Sequence, residues 1–493
     1  MHARNTNFFT RAHIKTKRLP DDNPKLRVYI GNHCMISSQK QAKRPKTSSK
    51  MTTSKMHIMM FPWFAFGHMT PFLHLANRLA ERGHMVSFLL PNKALIRLGA
   101  QSLHPDLITF YPLTVPAAEG VPLGAETTAD VPCESHVLLG GAFDATRGQV
   151  EALMASLAPD FVLHDFSHWL PEISSRLGVK SVAYLACSVS CVSLSIVPRR
   201  EEESPVRIRL RPHEIQEGQG MYGDNLKGVV PFGERLYKSI ASSEAISLRT
   251  CSEIEGKAVE YFRNQWKKPV LLSGLCLPDA GRSGILDPKW AGWLTKFKPS
   301  TVVYCALGSE TVLPKAQFQE LLLGFESTGL PFLAILKPPN GSSSVEEALP
   351  DGFGARTNGR GIVHDGWVQQ TLILNHPSVG CFVSHGGFSS MLESLMSDTE
   401  IVILPHMPEQ ILNARFMADE LKVAVEVERQ PGGWVPKESL CKAIKSVMDK
   451  DSELGSGVRS KHSEYREMLS KKGLMSSYID KFIEDLRALK AKS

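Results

Sequence analysis

From residue 56 onward, short apolar runs alternate with stretches in which apolar residues return every three or four positions. The runs at 57–61 and 85–90 read as buried strands. Between them, 71–81 carries Phe72, Leu75, Ala76 and Leu79 on one helical face, and Gly83 closes it. Further strands are predicted at 161–164, 181–185 and 245–248, with a helix over 168–177. Strands alternating with helices predict a parallel sheet covered on both faces.

The pattern pauses at 268–289, which holds Pro269, Pro278, Pro288 and several glycines. It then resumes. Strands are predicted at 301–306, 331–336, 361–363, 381–383 and 401–404, and helices at 315–327, 389–396 and 410–420. From 437 to the end the chain reads as largely helical. The fold class this predicts is α/β, with two doubly wound domains facing across a cleft. The first spans 56–267 and the second 290–455, joined by a linker over 268–289. The helices of 456–493 are expected to pack back on the first domain. Ligands of such sheets sit at the carboxyl ends of the strands.

Charge changes the picture at one end only. The formal net charge is +7, but residues 1–55 hold 13 basic and 2 acidic side chains, leaving 44 basic against 48 acidic. The body is therefore mildly acidic and gives no electrostatic reason to invoke nucleic acid. The segment 1–55 has no apolar stretch of the kind a secretory signal needs. It reads as a disordered basic extension or as sequence upstream of the true start, with Met51 and Met56 just before the first strand. No apolar run is long enough to cross a membrane. The nine cysteines include no C-x-x-C pair, which fits a reducing, cytoplasmic setting.

Neither half has a G-x-G-x-x-G after its first strand, nor a G-x-x-x-x-G-K-[ST]. That counts against nicotinamide oxidoreductases and P-loop ATPases. The richest chemistry lies in the 44 residues from Trp367 to Gln410. Ser384-His385-Gly386-Gly387-Phe388-Ser389-Ser390 follows a strand and opens a helix, so backbone N–H groups and hydroxyls converge as an anion site. Glu393 can accept two ribose hydroxyls. Trp367 and Val368 open another segment, whose indole offers a stacking face, and Glu409 and Gln410 can bind sugar hydroxyls. Each has a plainer reading: a capped helix, a surface glutamate, a core tryptophan, a solvated helix start.

Taken together, this segment resembles the signature box of plant family 1 UDP-dependent glycosyltransferases, and the resemblance runs from about Met56 to the end. It implies two Rossmann-like domains in the GT-B arrangement, the first binding acceptor and the second UDP-sugar. It implies that Trp367 stacks on uracil and that Gln370 and Glu393 hold the ribose. His385, Gly387, Ser389 and Ser390 would meet the diphosphate, joined by Ser309 in the turn Leu307-Gly308-Ser309. Glu409 and Gln410 would meet the sugar. UDP-sugar enters as co-substrate, and no cofactor or metal is implied. The box departs from the common form at Gly386, Phe388 and Ser389, where cysteine, tryptophan and asparagine are frequent. The glycine is expected to be tolerated; the other two bear on donor identity.

In the first domain, Phe61-Pro62-Trp63-Phe64-Ala65-Phe66-Gly67-His68 joins the first strand to its helix. A lone histidine there is usually structural, but here Trp63, Phe64 and Phe66 surround it and suit a flat acceptor. The family places its general base at this position. Asp165, after the strand at 161–164, is the expected partner that fixes the imidazole tautomer. His164 and His168 read as structural. The resemblance is nearest to the branch that adds a sugar to flavonoid or anthocyanin 3-O-glucosides. Alternatives are a terpenoid or steroid glycoside, a flavonoid aglycone, or a catalytically inactive UDP-sugar-binding regulator. Without a membrane anchor, association with other biosynthetic enzymes would be peripheral.

Overall fold

The computed structural model describes residues 55–132, 135–196, 208, 210–211, 214, 228–278 and 284–491. The basic extension, apart from Lys55, lies outside the described residues, as do Cys34, Cys133 and residues 279–283 of the expected linker.

The first sheet has seven parallel strands: β1 (His57–Phe61), β2 (Met85–Pro91), β3 (Ile108–Leu113), β4 (Phe161–His164), β5 (Lys180–Leu185), β6 (Ala245–Leu248) and β7 (Val270–Leu272). Their spatial order is β3-β2-β1-β4-β5-β6-β7. The second sheet has six: β8 (Val302–Ala306), β9 (Phe332–Ile335), β10 (Gly361–His364), β11 (Val379–Ser384), β12 (Glu400–Ile403) and β13 (Ala424–Glu426), in the order β10-β9-β8-β11-β12-β13. All thirteen pair parallel to their neighbours. The inner strands β4, β8 and β11 are buried at every residue, as a sheet covered on both faces requires.

Each sheet reverses its winding once, between β1 and β4 in the first and between β8 and β11 in the second. Loops leaving two such neighbouring strands diverge and open a crevice. These two crevices matter most for chemistry.

Three sequence expectations need correction. The helix expected from Pro71 runs from Phe66 to Glu81, with Pro71 inside it. Pro71 is the sixth residue of this helix, past the N–H groups that lack an intrahelical partner, so it costs the helix one bond, to the Gly67 carbonyl. His68 therefore stands on the first turn of the helix, not before it. The expected linker begins with β7 and ends in the helix Pro288–Leu294. Proline at 269 is tolerated because it precedes an edge strand. Finally, β3, β7 and β13 were not predicted; all three are edges with mixed burial.

The last helix, Leu474–Lys490, presents Ile479, Phe482, Ile483 and Leu486 at helical spacing. They join the core of Ile58, Phe72 and Leu75 on one face of the first sheet. Full burial of such side chains stabilises by about 1.5–3 kcal/mol each, so the chain's end is part of the first core. Among the described residues no helix is long and apolar enough to cross a membrane.

Candidate active site

The β1–β4 crevice holds the first cluster. Because Phe61 pairs with His164, the chain leaving β1 runs beside the chain leaving β4. The Asp165 carboxylate is 1% exposed and uses both oxygens. Oδ1 accepts from the Trp63 N–H at 2.7 Å and the Phe166 N–H at 2.8 Å. Oδ2 accepts from His68 Nδ1 at 2.7 Å. That bond puts the proton on Nδ1 and leaves Nε2 as the basic ring nitrogen. His164 is fully buried, its ring held by Ser167 and Ser243 hydroxyls, and burial lowers its pKa to about 4. It is a core histidine.

The β8–β11 crevice holds the second cluster. His385 follows β11, and its ring lies against two glycine backbones. A Cβ on Gly387 would stand 2.4 Å from His385 Nε2, and one on Gly308 would stand 2.8 Å from it. Both glycines are required by this ring. Gly386 adopts φ 84°, and a Cβ there would approach Ile403 Cγ2 to 2.9 Å, so glycine suits this turn. Gly387 caps the helix Phe388–Leu395, placing Ser389 and Ser390 in its first turn. Gln370 Nε2 donates to Glu393 Oε2 at 2.9 Å and to Ser390 Oγ at 3.3 Å.

A single cavity of about 330 Å³ joins the two crevices. His68 and Phe166 line it from one side, and Ser309, His385, Ser389 and Glu409 from the other. Gly387, Ser390 and Gln410 also line it, whereas Trp367, Val368, Gln370 and Glu393 do not. Trp367 is 66% exposed, which excludes the core-tryptophan reading. Val368 is buried beside Trp290, Ile373 and Leu374, so it anchors the segment that presents Trp367. Gln410 is 5% exposed; its Oε1 accepts from the His406 and Met407 N–H groups at 2.9 and 3.2 Å, leaving the amide nitrogen for a ligand.

The expected aromatic wall is corrected in part. Trp63 lines the cavity, but Phe64 is fully buried in the core and Phe66 packs under the Arg97 guanidinium. Phe166 and Phe232 take their place. These two rings and Trp63 meet edge to face, with centroids 5.2–6.0 Å apart.

A family model described as UDP-glucoronosyl and UDP-glucosyl transferase matches residues 344–454. UDP-glycosyltransferase 79B6 of Arabidopsis thaliana is 49% identical over 448 residues, covering 88% of this chain and 98% of the relative. This chain belongs to the plant family 1 UDP-glycosyltransferases. Another Arabidopsis thaliana member, anthocyanidin 3-O-glucoside 2'''-O-xylosyltransferase, is 48% identical, with 88% of this chain and 97% of the relative covered. The fold matches the crystal structure of Glycyrrhiza uralensis UGT73P12 complexed with glycyrrhetinic acid 3-O-monoglucuronide. That match has a TM-score of 0.75 at 20% identity and covers 89% of this chain and 97% of that one. The chain is thus a UDP-sugar-dependent glycosyltransferase with two facing α/β domains.

Electrostatics of this glycosyltransferase site follow from burial and three carboxylates. Burial alone lowers the pKa of His68, but the Asp165 hydrogen bond and charge, with Glu310 and Glu409, outweigh it and hold the imidazole above its ordinary value. Glu409 is pushed up to about 7, mainly by burial. Burial drops His385 to about 4, so its ring is neutral at pH 7.

Two cavity residues escaped sequence reading. Glu310 follows Ser309 directly and accepts a hydrogen bond from the Thr128 hydroxyl of the opposite domain. Asn413 donates to the Gly386 carbonyl at 2.8 Å and accepts from Cys191 Sγ at 2.9 Å, again across the cleft. A carboxylate four residues past the carboxyl end of β8, in the turn that already held Ser309, was a usable signal for Glu310. Nothing in the sequence marks Asn413.

Proposed function

We propose that this chain transfers a sugar from UDP to a sugar hydroxyl of a flavonoid or anthocyanin 3-O-glycoside, with inversion at the anomeric carbon. One observation carries the reading: His68, held from behind by Asp165, and the His385–Ser389 turn line one cavity from opposite sides. His68 Nε2 accepts the acceptor's hydroxyl proton. The oxygen attacks the anomeric carbon from the face opposite UDP, and the bond to UDP breaks with its electron pair leaving on the diphosphate. Asp165 steadies the imidazolium. The leaving charge falls to backbone N–H groups of the helix Phe388–Leu395, to His385 and to Ser309, Ser389 and Ser390. No metal ion or further cofactor takes part. Trp367 stacks on the uracil, with Gln370 and Glu393 on the ribose and Glu409 and Gln410 on the transferred sugar.

The Trp63, Phe166 and Phe232 rings suit a flat polyphenol. The xylosyltransferase relative, whose name describes a sugar added to a 3-O-glucoside, supports a glycoside as acceptor. Seven free cysteines among the described residues support a reducing, cytoplasmic setting, where contact with other biosynthetic enzymes would be peripheral. The test is a panel of UDP-sugars against flavonoid aglycones and their 3-O-glucosides, with products read by mass. Diglycosides from the 3-O-glucosides are expected. Conversion of aglycones alone would overturn the sugar-on-sugar reading. Binding of UDP-sugar with neither acceptor conversion nor release of UDP would point to the inactive regulator.

A further inference from the structure

Arg249 follows β6 in the first domain and is fully buried. Its Nε donates to the Leu275 carbonyl at 2.8 Å, which ties it to its own domain. Its Nη1 reaches the second domain and donates to Ser389 Oγ at 2.7 Å. Its Nη2 is buried without a hydrogen-bond partner. Among the described residues no carboxylate pairs with it. Burial holds neutral the groups around it: His74 is lowered to about 3, Cys187 is raised to about 12, and Tyr184 and Cys276 are raised as well. The Glu393 carboxylate lies close enough for its field to reach Arg249, but its hydrogen bonds go to Gln370 and Thr371.

A buried cation with an unfilled donor and no bonded counterion is costly unless a ligand completes it. Ser389 shows where that ligand lies. Arginine has no acceptor, so in this pair the serine oxygen must accept. The serine's own proton is thereby free to point elsewhere, and Ser389 lines the cavity beside His385 and Gly387. Asparagine, frequent at this position in the family, would bring its own N–H donors to the anion. Serine brings one hydroxyl, oriented and polarised by a guanidinium from the opposite domain.

We propose that Arg249 is a positioning residue for the donor's diphosphate, acting through Ser389. The first domain thereby supplies positive charge to the leaving group, and diphosphate binding couples the two domains. This rests on UDP-sugar being the donor, and not on the identity of the acceptor.

The test compares UDP with uridine by NMR titration of the full chain in wild type, Arg249→Met, Arg249→Lys and Ser389→Ala, plus the Arg249→Lys/Ser389→Ala double variant. A charge-assisted hydrogen bond predicts a UDP affinity lowered about 10- to 100-fold in Arg249→Met, with uridine affinity unchanged. Arg249→Lys keeps the charge but cannot span Leu275 and Ser389 together, so a smaller, still UDP-specific loss is expected. It also serves as the readout if Arg249→Met fails to fold. In the Ser389→Ala background the Arg249→Lys effect should disappear. Equal losses for UDP and uridine, no loss for either, or additivity in the double variant would overturn the inference. Failure of wild type to bind UDP would instead sink the donor reading.

Discussion

Replacing Asp165 by asparagine tests the proposed base most sharply, because the change is small in shape and large in consequence. The Asp165 carboxylate accepts three hydrogen bonds. In Asp165→Asn the amide oxygen can keep the bonds from the Trp63 and Phe166 N–H groups, so the two loops stay joined. The amide nitrogen then faces His68 Nδ1 and can only donate. Nδ1 must become the acceptor, the ring proton moves to Nε2, and the nitrogen facing the acceptor hydroxyl is no longer basic. Where an aspartate-to-asparagine change imposes the wrong tautomer on a catalytic histidine, the rate falls by about 10⁴. A fall in kcat/KM of about 10³–10⁴ is expected here, with UDP affinity unchanged.

The pH profile adds a second reading. Wild-type kcat/KM should rise with pH as the His68 imidazolium loses its proton, along a limb centred above the ordinary 6.5. In Asp165→Asn the hydrogen bond and charge that lift the imidazole are gone. Burial then pulls any residual limb below 6.5. Glu409, pushed to about 7, titrates in the same window, so the profiles are best compared in a Glu409→Gln background. The matching stability effect has the opposite pH sense. A raised histidine pKa stabilises the fold below about 6.5, and this is lost as pH rises through the folded-state value. Activity within tenfold of wild type, or an equal fall in UDP affinity, would refute the role given to Asp165.

Trp367→Ala should change unfolding free energy by no more than about 0.5 kcal/mol, since the side chain is two-thirds exposed. It should weaken UDP binding by about 1–3 kcal/mol through the lost stacking face; the reverse pattern in thermal shift and titration would restore the structural reading. Gly387→Ala should lower kcat/KM about 10- to 100-fold by displacing the His385 ring, with a normal circular-dichroism spectrum. Full activity would show that this ring position is dispensable. Arg235→Met should cost about 3 kcal/mol in urea unfolding, because it breaks the two-pronged pair with Asp144 at 2.7 and 2.6 Å. Unchanged UDP binding in that variant separates fold from site.

What the sequence revealed divides along physical lines. Strands buried on both faces, such as β1, β4 and β11, announce themselves as unbroken apolar runs. Edges such as β13, three residues long and only partly buried, or β7, a three-residue strand directly after Pro269, carry too little pattern to be read. Ser384 through Ser390 was readable because a strand–turn–helix anion site is contiguous in the chain. Asn413 and Arg249 were not, because each acts across a gap that only the folded chain closes. Neighbouring aromatics misled for the same reason. Trp63, Phe64 and Phe66 are adjacent in sequence, yet the turn after β1 aims only the first into the cavity.

The two switch points explain why so few residues suffice for a whole site. Each sheet opens at one place, and the chain leaving each central strand has only a few residues before its helix begins. The first crevice receives a histidine and an aspartate from strands that are hydrogen-bonded neighbours, so their geometry is inherited from backbone pairing. The second receives a serine after β8 and a histidine after β11, again neighbours, with two glycines letting the ring settle against both turns. Contacts across the cleft then fix how the halves meet: Thr128 to Glu310, Cys191 to Asn413, Arg249 to Ser389. The last is the one in which a departure from the common box becomes intelligible. Ser389 gives up the donor groups of asparagine, and a buried arginine on the facing domain stands where its charge can compensate. Donor preference in this chain should therefore be sought in the Arg249–Ser389 pair as well as in the residues that touch the sugar.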